Sequence, residues 1–211
     1  MKYNYIAIEG NIGSGKTSLA KMIAKDFDAR LILERFEDNS FLPKFYKDPE
    51  KYAFPLEMSF LADRYQQVKN DVTNHDLFMS FTIADYFIDK SLIFARKTLK
   101  KEELRLYSRL FNIIISKLPR PDLIIFLDAT IEQVKQNIQK RGREYEKEIS
   151  GSYLEKIQNG YLDYFSTSSK STILILDTHN LDFVNQADDY AKILSLFENV
   201  FTKGIHRISF G

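Results

Sequence analysis

The run Gly10-Asn11-Ile12-Gly13-Ser14-Gly15-Lys16-Thr17 satisfies the spacing Gly-x4-Gly-Lys-Ser/Thr, directly after an apolar run and directly before a helical pattern. Glycines there let the backbone curl so that successive N–H groups point inward, and the N-terminus of the following helix adds partial positive charge. Lys16 can then reach the β and γ phosphates of a nucleoside triphosphate, and the Thr17 hydroxyl can hold Mg²⁺. The expected triphosphate-binding set is Gly10, Asn11, Ile12, Gly13, Ser14, Gly15, Lys16, Thr17 and Ser18, with ATP or another nucleoside triphosphate as ligand.

A phosphate loop that does chemistry also needs a carboxylate at the end of a neighbouring strand to organise the magnesium shell. Phe81-Thr82-Ile83-Ala84-Asp85 and Ile124-Ile125-Phe126-Leu127-Asp128 both run apolar into an aspartate, and spacing leaves the two open. Asp128, followed by Ala129-Thr130 and a helical pattern, also suits a helix cap. The guanine-reading Asn-Lys-x-Asp of a GTPase switch is missing, because His179-Asn180-Leu181-Asp182 lacks the lysine. Lys140-Arg141-Gly142-Arg143-Glu144-Tyr145-Glu146, a basic segment after a helix, suits the lid of a small kinase that neutralises phosphoryl charge and excludes water.

These groups need a scaffold that brings strand ends together. Apolar runs at residues 3–8, 29–33, 77–84, 123–127 and 172–176 read as buried parallel strands, with helical patterns beginning near Lys16, Pro49, Ile88, Lys101, Ile131, Ser152 and Asn185. The expected fold is α/β of the P-loop kinase type: a five-stranded parallel sheet covered by helices on both faces, with an arginine-containing lid. At roughly 150 residues per domain, 211 residues make one domain, 1–211, with the lid at about 141–150. The polar tract 166–171 reads as a helix-to-strand loop.

Composition removes several classes of function. Thirty basic against 29 acidic residues leave a net charge of +1, so no bulk field holds a polyanion and a nucleic-acid partner is not expected. The absence of cysteine excludes disulfides, thiolate metal sites and a cysteine nucleophile, and His75, His179 and His206 are too scattered to form a ligand cluster. Asn4 and Glu9 interrupt the N-terminal apolar run too early for a signal peptide, and no run approaches the roughly 18 residues that span a bilayer. A cytoplasmic protein with no membrane partner is the expectation.

Gly10 to Thr17, Glu34-Arg35-Phe36-Glu37-Asp38-Asn39-Ser40-Phe41-Leu42, Phe45-Tyr46, Leu56 to Arg64, Ile83-Ala84-Asp85-Tyr86 leading to Ile93-Phe94-Ala95, and Arg141-Gly142-Arg143 follow one another in an informative order. Over most of the chain they resemble the deoxynucleoside kinase family, and within it the bacterial deoxyguanosine kinases. The resemblance implies phosphoryl transfer from a nucleoside triphosphate, with Mg²⁺, to the 5′-hydroxyl of a purine 2′-deoxynucleoside in salvage, by a homodimer formed through helix packing. Glu34 corresponds to the carboxylate that takes the hydroxyl proton, a role that suits a strand-end carboxylate beside the phosphate loop. Arg64 corresponds to the arginine near the 5′-oxygen, Tyr46 and Glu146 to the pair on the 3′-hydroxyl, and Phe94 to the aromatic stacked on the base. The implied catalytic set is Lys16, Glu34, Arg64, Arg141 and Arg143. The implied acceptor set is Glu34, Tyr46, Glu57, Arg64, Asp85, Phe94 and Glu146, with Thr17 and Asp85 on the metal.

The chain departs from the family pattern twice. Asp85-Tyr86 stands where many members carry acidic-Arg, although the deoxyguanosine kinase branch also resembles Asp-Tyr. Asn137 stands where relatives usually carry a lid arginine, so Asn137→Arg should raise turnover or lower the donor KM if a cation is limiting. Glu57 lies seven positions, about two helical turns, before Arg64, which puts both on nearly one face. Where much of the family resembles glutamine, an ionised glutamate only accepts hydrogen bonds, and so suits the adjacent N1–H and N2–H₂ donors of guanine. A nucleoside monophosphate kinase, such as a thymidylate kinase, would need further cations for its acceptor, which Glu37-Asp38 opposes. A switch or ATPase module without a small acceptor would hydrolyse nucleotide regardless of added nucleoside.

Overall fold

Runs of Ile, Leu and Phe without alternation bury both faces of a strand, and they pair here as parallel neighbours. β1 (Tyr5–Gly10), β2 (Arg30–Ile32), β3 (Thr82–Ala84), β4 (Leu123–Asp128) and β5 (Thr172–Asp177) are the five expected strands. A sixth, β6 (Gly204–Ile208), joins parallel to β5, and the sheet order is β2-β3-β1-β4-β5-β6. The expected count of five is corrected to six. An edge strand is paired on one side only, and Gly204-Ile205-His206-Arg207-Ile208 alternates half-buried with exposed residues, so it offers no apolar run to read.

The computed structural model describes residues 2–36, 39–72, 81–116, 118–168 and 171–210. Residues 77–80 of the third expected run, His75, the pair Glu37-Asp38 and residues 169–170 of the polar tract lie outside the described residues.

Eight α-helices are described: α1 (Lys16–Asp26), α2 (Leu42–Lys47), α3 (Pro49–Gln67), α4 (Lys90–Thr98), α5 (Lys101–Ile115), α6 (Ile131–Arg141), α7 (Gly151–Ser166) and α8 (Ala187–Ser195). Alternate residues of each strand point to opposite faces. Ile6, Ile8, Ile125 and Leu174 therefore meet Leu19 and Ile23 of α1 and Ile193 of α8, while Ala7, Ile124, Phe126 and Ile173 meet Ile93 of α4 and Tyr161 and Phe165 of α7. The short α2 was not expected: six residues with a proline in the first turn show no period, and Phe45 and Leu42 hold it by packing on Ala53 and Leu56 of α3. No helix among the described residues is long and apolar enough to cross a membrane.

β1 sits between β3 and β4: the chain leaves it for β2 and β3 on one side, then crosses from β3 to β4 on the other. The crevice outside the carboxyl end of such a strand is where open α/β sheets bind ligands. Gly10 and the loop after it occupy that place.

Candidate functional site

The loop after β1 owes its shape to glycine at two positions. Gly13 and Gly15 have φ of +83° and +93°. A Cβ at Gly13 would stand 2.8 Å from the Val134 carbonyl oxygen, and one at Gly15 would stand 2.8 Å from the Phe183 ring. Gly15 caps α1 with no side-chain hydrogen bond, so the first-turn N–H groups are left for an anion. Lys16 Nζ donates to the Asn11 carbonyl at 2.7 Å. Burial, joined by the nearby charge of Lys90, lowers its pKa to about 8 against the pull of Glu9, Glu34 and Asp85.

Ile12 through Ser18 line a cavity of about 840 Å³. Gly10 and Asn11, expected in the triphosphate-binding set, stand behind that surface. The Asn11 amide donates to the Leu154 carbonyl at 2.9 Å and to Gln158 Oε1 at 3.2 Å, anchoring the loop on α7. Glu9 anchors it from below, since its buried carboxylate accepts from the Phe87 N–H at 2.9 Å and the Tyr161 hydroxyl at 2.8 Å. Burial raises the Glu9 pKa.

The tertiary structure separates the two candidate aspartates. Asp85 Oδ2 accepts from Thr17 Oγ1 at 2.5 Å, and its Oδ1 accepts from the Glu34 N–H at 2.7 Å. Asp128 instead accepts from Gln158 Nε2 at 2.8 Å and is absent from the cavity lining. Asp128 is not the cap of α6 either, because Thr130 Oγ1 accepts from the Gln133 N–H at 3.1 Å. A hydroxyl and a carboxylate side by side at the phosphate loop are hard oxygen donors of the kind Mg²⁺ takes from a protein while sharing its remaining positions with phosphate and water.

Glu34, just beyond β2, is held on both oxygens. Arg64 donates from Nε at 2.7 Å and places Nη2 at 2.7 Å from Oε1, while Lys90 Nζ stands 2.5 Å from Oε2. Arg64 Nη1 also donates to Ser91 Oγ at 2.8 Å. Burial alone would raise the Glu34 pKa, but Lys90 and Arg64 outweigh it and hold the carboxyl at about 2. Tyr86 is buried in the core at 1% exposure. The second cation on Glu34 comes from Lys90 at the start of α4. The available sequence signal was a lysine one helical turn before Phe94, whose ring lies 5.7 Å from Nζ.

The other end of the cavity collects the expected acceptor residues. Glu57 and Arg64, two turns apart on α3, are both buried, at 2% and 3% exposure. Thr98 Oγ1 donates to Glu57 Oε1 at 2.8 Å, and Oε2 is buried with no hydrogen-bond partner among the described residues. Burial raises the Glu57 pKa to about 7, against the opposing influence of Arg64, the Thr98 hydroxyl and Lys90. Phe94 and Tyr46 line the same cavity. Tyr46 stacks on Tyr145 at 6.3 Å between ring centres. In the lid, Glu146 Oε2 accepts from Arg141 Nε at 3.0 Å and Nη2 at 2.6 Å, and Arg143 Nη1 is 3.5 Å from Oε1. The Arg143 guanidinium also lies 4.6 Å over the Phe36 ring.

Asn137 of α6 has a task that the missing-cation account overlooks. Its Nδ2 donates to the Gly13 carbonyl at 2.9 Å, strapping α6 to the phosphate loop. Asn137→Ala is expected to raise the donor KM about 2- to 10-fold, the net worth of one hydrogen bond, with the acceptor KM unchanged. Steady-state kinetics with varied donor check this, and an unaltered donor KM would show that the strap is idle.

The family model described as deoxynucleoside kinase matches residues 6–202 of this chain. The deoxyguanosine kinase of Bacillus subtilis (strain 168) is 39% identical over 194 residues, covering 90% of this chain and 93% of that protein. The deoxyadenosine/deoxycytidine kinase of the same organism is 29% identical over 206 residues, 94% of each chain. Among solved structures, the deoxyadenosine kinase from M. mycoides with bound dATP superposes with a TM-score of 0.79 at 22% identity, over 92% of this chain and 100% of that one, a likeness of fold.

Proposed function

This chain belongs to the deoxynucleoside kinase family and is a phosphotransferase with an alcohol group as acceptor; from that premise we propose that its acceptor is a purine 2′-deoxynucleoside, deoxyguanosine preferred, phosphorylated at the 5′-hydroxyl with ATP and Mg²⁺. Glu57 carries this reading: a buried carboxylate lining the cavity, with one oxygen unpartnered among the described residues. Ionised, it accepts from guanine N1–H and N2–H₂ together, whereas adenine and cytosine set a ring-nitrogen acceptor beside the amine, and thymine flanks a single donor with carbonyls. Thymidine is the poorest fit.

In the transfer, the 5′-oxygen bonds to the γ-phosphorus while the bond to the bridging oxygen breaks, its electron pair staying on the departing diphosphate. The hydroxyl proton passes to Glu34, which Arg64 orients. Thr17 and Asp85 would hold Mg²⁺, which when bound neutralises charge on the phosphates. Lys16 and the arginines of the lid, Arg141 and Arg143, meet charge on the phosphoryl group, while Tyr46 and Glu146 take the 3′-hydroxyl and Phe94 stacks on the base. The whole chain, 1–211, acts as one catalytic domain, with both helical layers packed on the single sheet.

A coupled assay across the four deoxynucleosides, with ATP and GTP as donors, tests the ranking. Glu57→Gln is expected to relax the preference for deoxyguanosine by about 1 to 3 kcal/mol, the cost of mispairing a buried polar group. An unchanged ranking, or thymidine used as efficiently as deoxyguanosine, would refute the assignment. The same carboxyl predicts a pH effect: below its pKa of about 7 it carries a proton and offers donor and acceptor together, and above it only accepts. The deoxyguanosine-to-deoxyadenosine ratio of kcat/KM should therefore rise from about pH 6 to 8. Glu34, held at about 2, stays ionised throughout and contributes nothing to that trend.

A further inference from the structure

Lys90 carries none of the roles assigned so far, yet it is 7% exposed, lines the cavity and faces the Glu34 carboxylate. With Arg64 on one oxygen and Lys90 on the other, Glu34 is poorly disposed to receive a proton. One cation has to give way when a hydroxyl arrives. Arg64 is fixed, because its Nη1 is tied to Ser91 and its guanidinium lies 4.6 Å over the Phe60 ring. The Lys90 ammonium, on a flexible stem, donates to no group but Glu34 among the described residues. Lys16 lines the same cavity, and repulsion between the two ammonium groups contributes to lowering the Lys16 pKa. Two ammonium groups lining one cavity beside a phosphate loop form an arrangement that an incoming anion relieves.

We propose that Lys90 is a catalytic residue: when the triphosphate donor is bound, its ammonium leaves Glu34 for the transferring γ-phosphoryl group and frees a carboxylate oxygen for the 5′-hydroxyl proton. Arrival of the triphosphate then switches the base on, because Glu34 loses a cation that suppresses its basicity. Lys90 exchanges no proton; the bonds made and broken are those of the transfer described above. The proposal rests on the reading of Glu34 as base and deepens it.

The test uses Lys90→Met and Lys90→Arg in the full chain, with ADP and the β,γ-imido analogue of ATP titrated by calorimetry without acceptor. Lys90→Met is expected to weaken the imido triphosphate about 10-fold or more, leave ADP within about twofold, and lower kcat by about 10², with Lys90→Arg restoring most of each. Equal weakening of both nucleotides, or a kcat within threefold of the parent, would overturn the proposal. Should Lys90→Met fail to fold, Lys90→Arg decides: discrimination between triphosphate and diphosphate kept with the charge supports the proposal, and its loss refutes it. The titrations contain no deoxynucleoside, so an error in acceptor preference would show only in the acceptor ranking. An error in the base would show as a near-normal rate in Glu34→Gln.

Discussion

Glu34→Gln is expected to lower kcat by about 10² to 10⁴, with the KM of donor and acceptor changed much less. The amide keeps the size and one acceptor oxygen but cannot take the hydroxyl proton at neutral pH. It also turns an N–H₂ group toward either Arg64 or Lys90, where the carboxylate now meets cations on both oxygens. Single-turnover kinetics with deoxyguanosine check the step itself, and calorimetry on the acceptor separates chemistry from binding. A rate near that of the parent, with a large loss at Asp85 instead, would mean that the base and the metal-organising carboxylate had been exchanged.

Lys16→Ala is expected to lower kcat by about 10³ through loss of localised charge at the transferring phosphoryl group. The fold should survive. The ammonium is desolvated, is repelled by Lys90, and has its pKa drawn down from 10.5 to about 8. A lysine whose folded pKa lies below its unfolded value binds fewer protons in the native state, so the stability it contributes rises as pH climbs from about 8 to 10.5 and is least at neutrality. Its removal should leave Tm at pH 7 unchanged or higher and flatten that rise, which thermal melts across pH can read. Activity within threefold of the parent would remove Lys16 from the chemistry.

Whatever depends on local spacing is legible along the chain. Gly13, Gly15 and Lys16 are legible because a tight anion-binding turn admits few residue types, and Ile- and Leu-rich runs mark buried strands without reference to their neighbours. The pairing of Glu57 with Arg64 on one face follows from helical periodicity alone, and both proved buried. Tertiary structure decided what depends on which segment captures a side chain. Asp85 and Asp128 look alike along the chain, since each closes an apolar run; Thr17 engages one and Gln158 the other, across 68 and 30 residues. Lys90 reaches Glu34 across 56 residues, and Asn137 reaches Gly13 across 124. Those partners are fixed by strand order and by the way helices lie on the sheet, which a periodicity of two or 3.6 residues does not encode. The half-exposed β6 shows the same limit, because a strand paired on one edge is specified by its neighbour β5 more than by its own hydrophobicity.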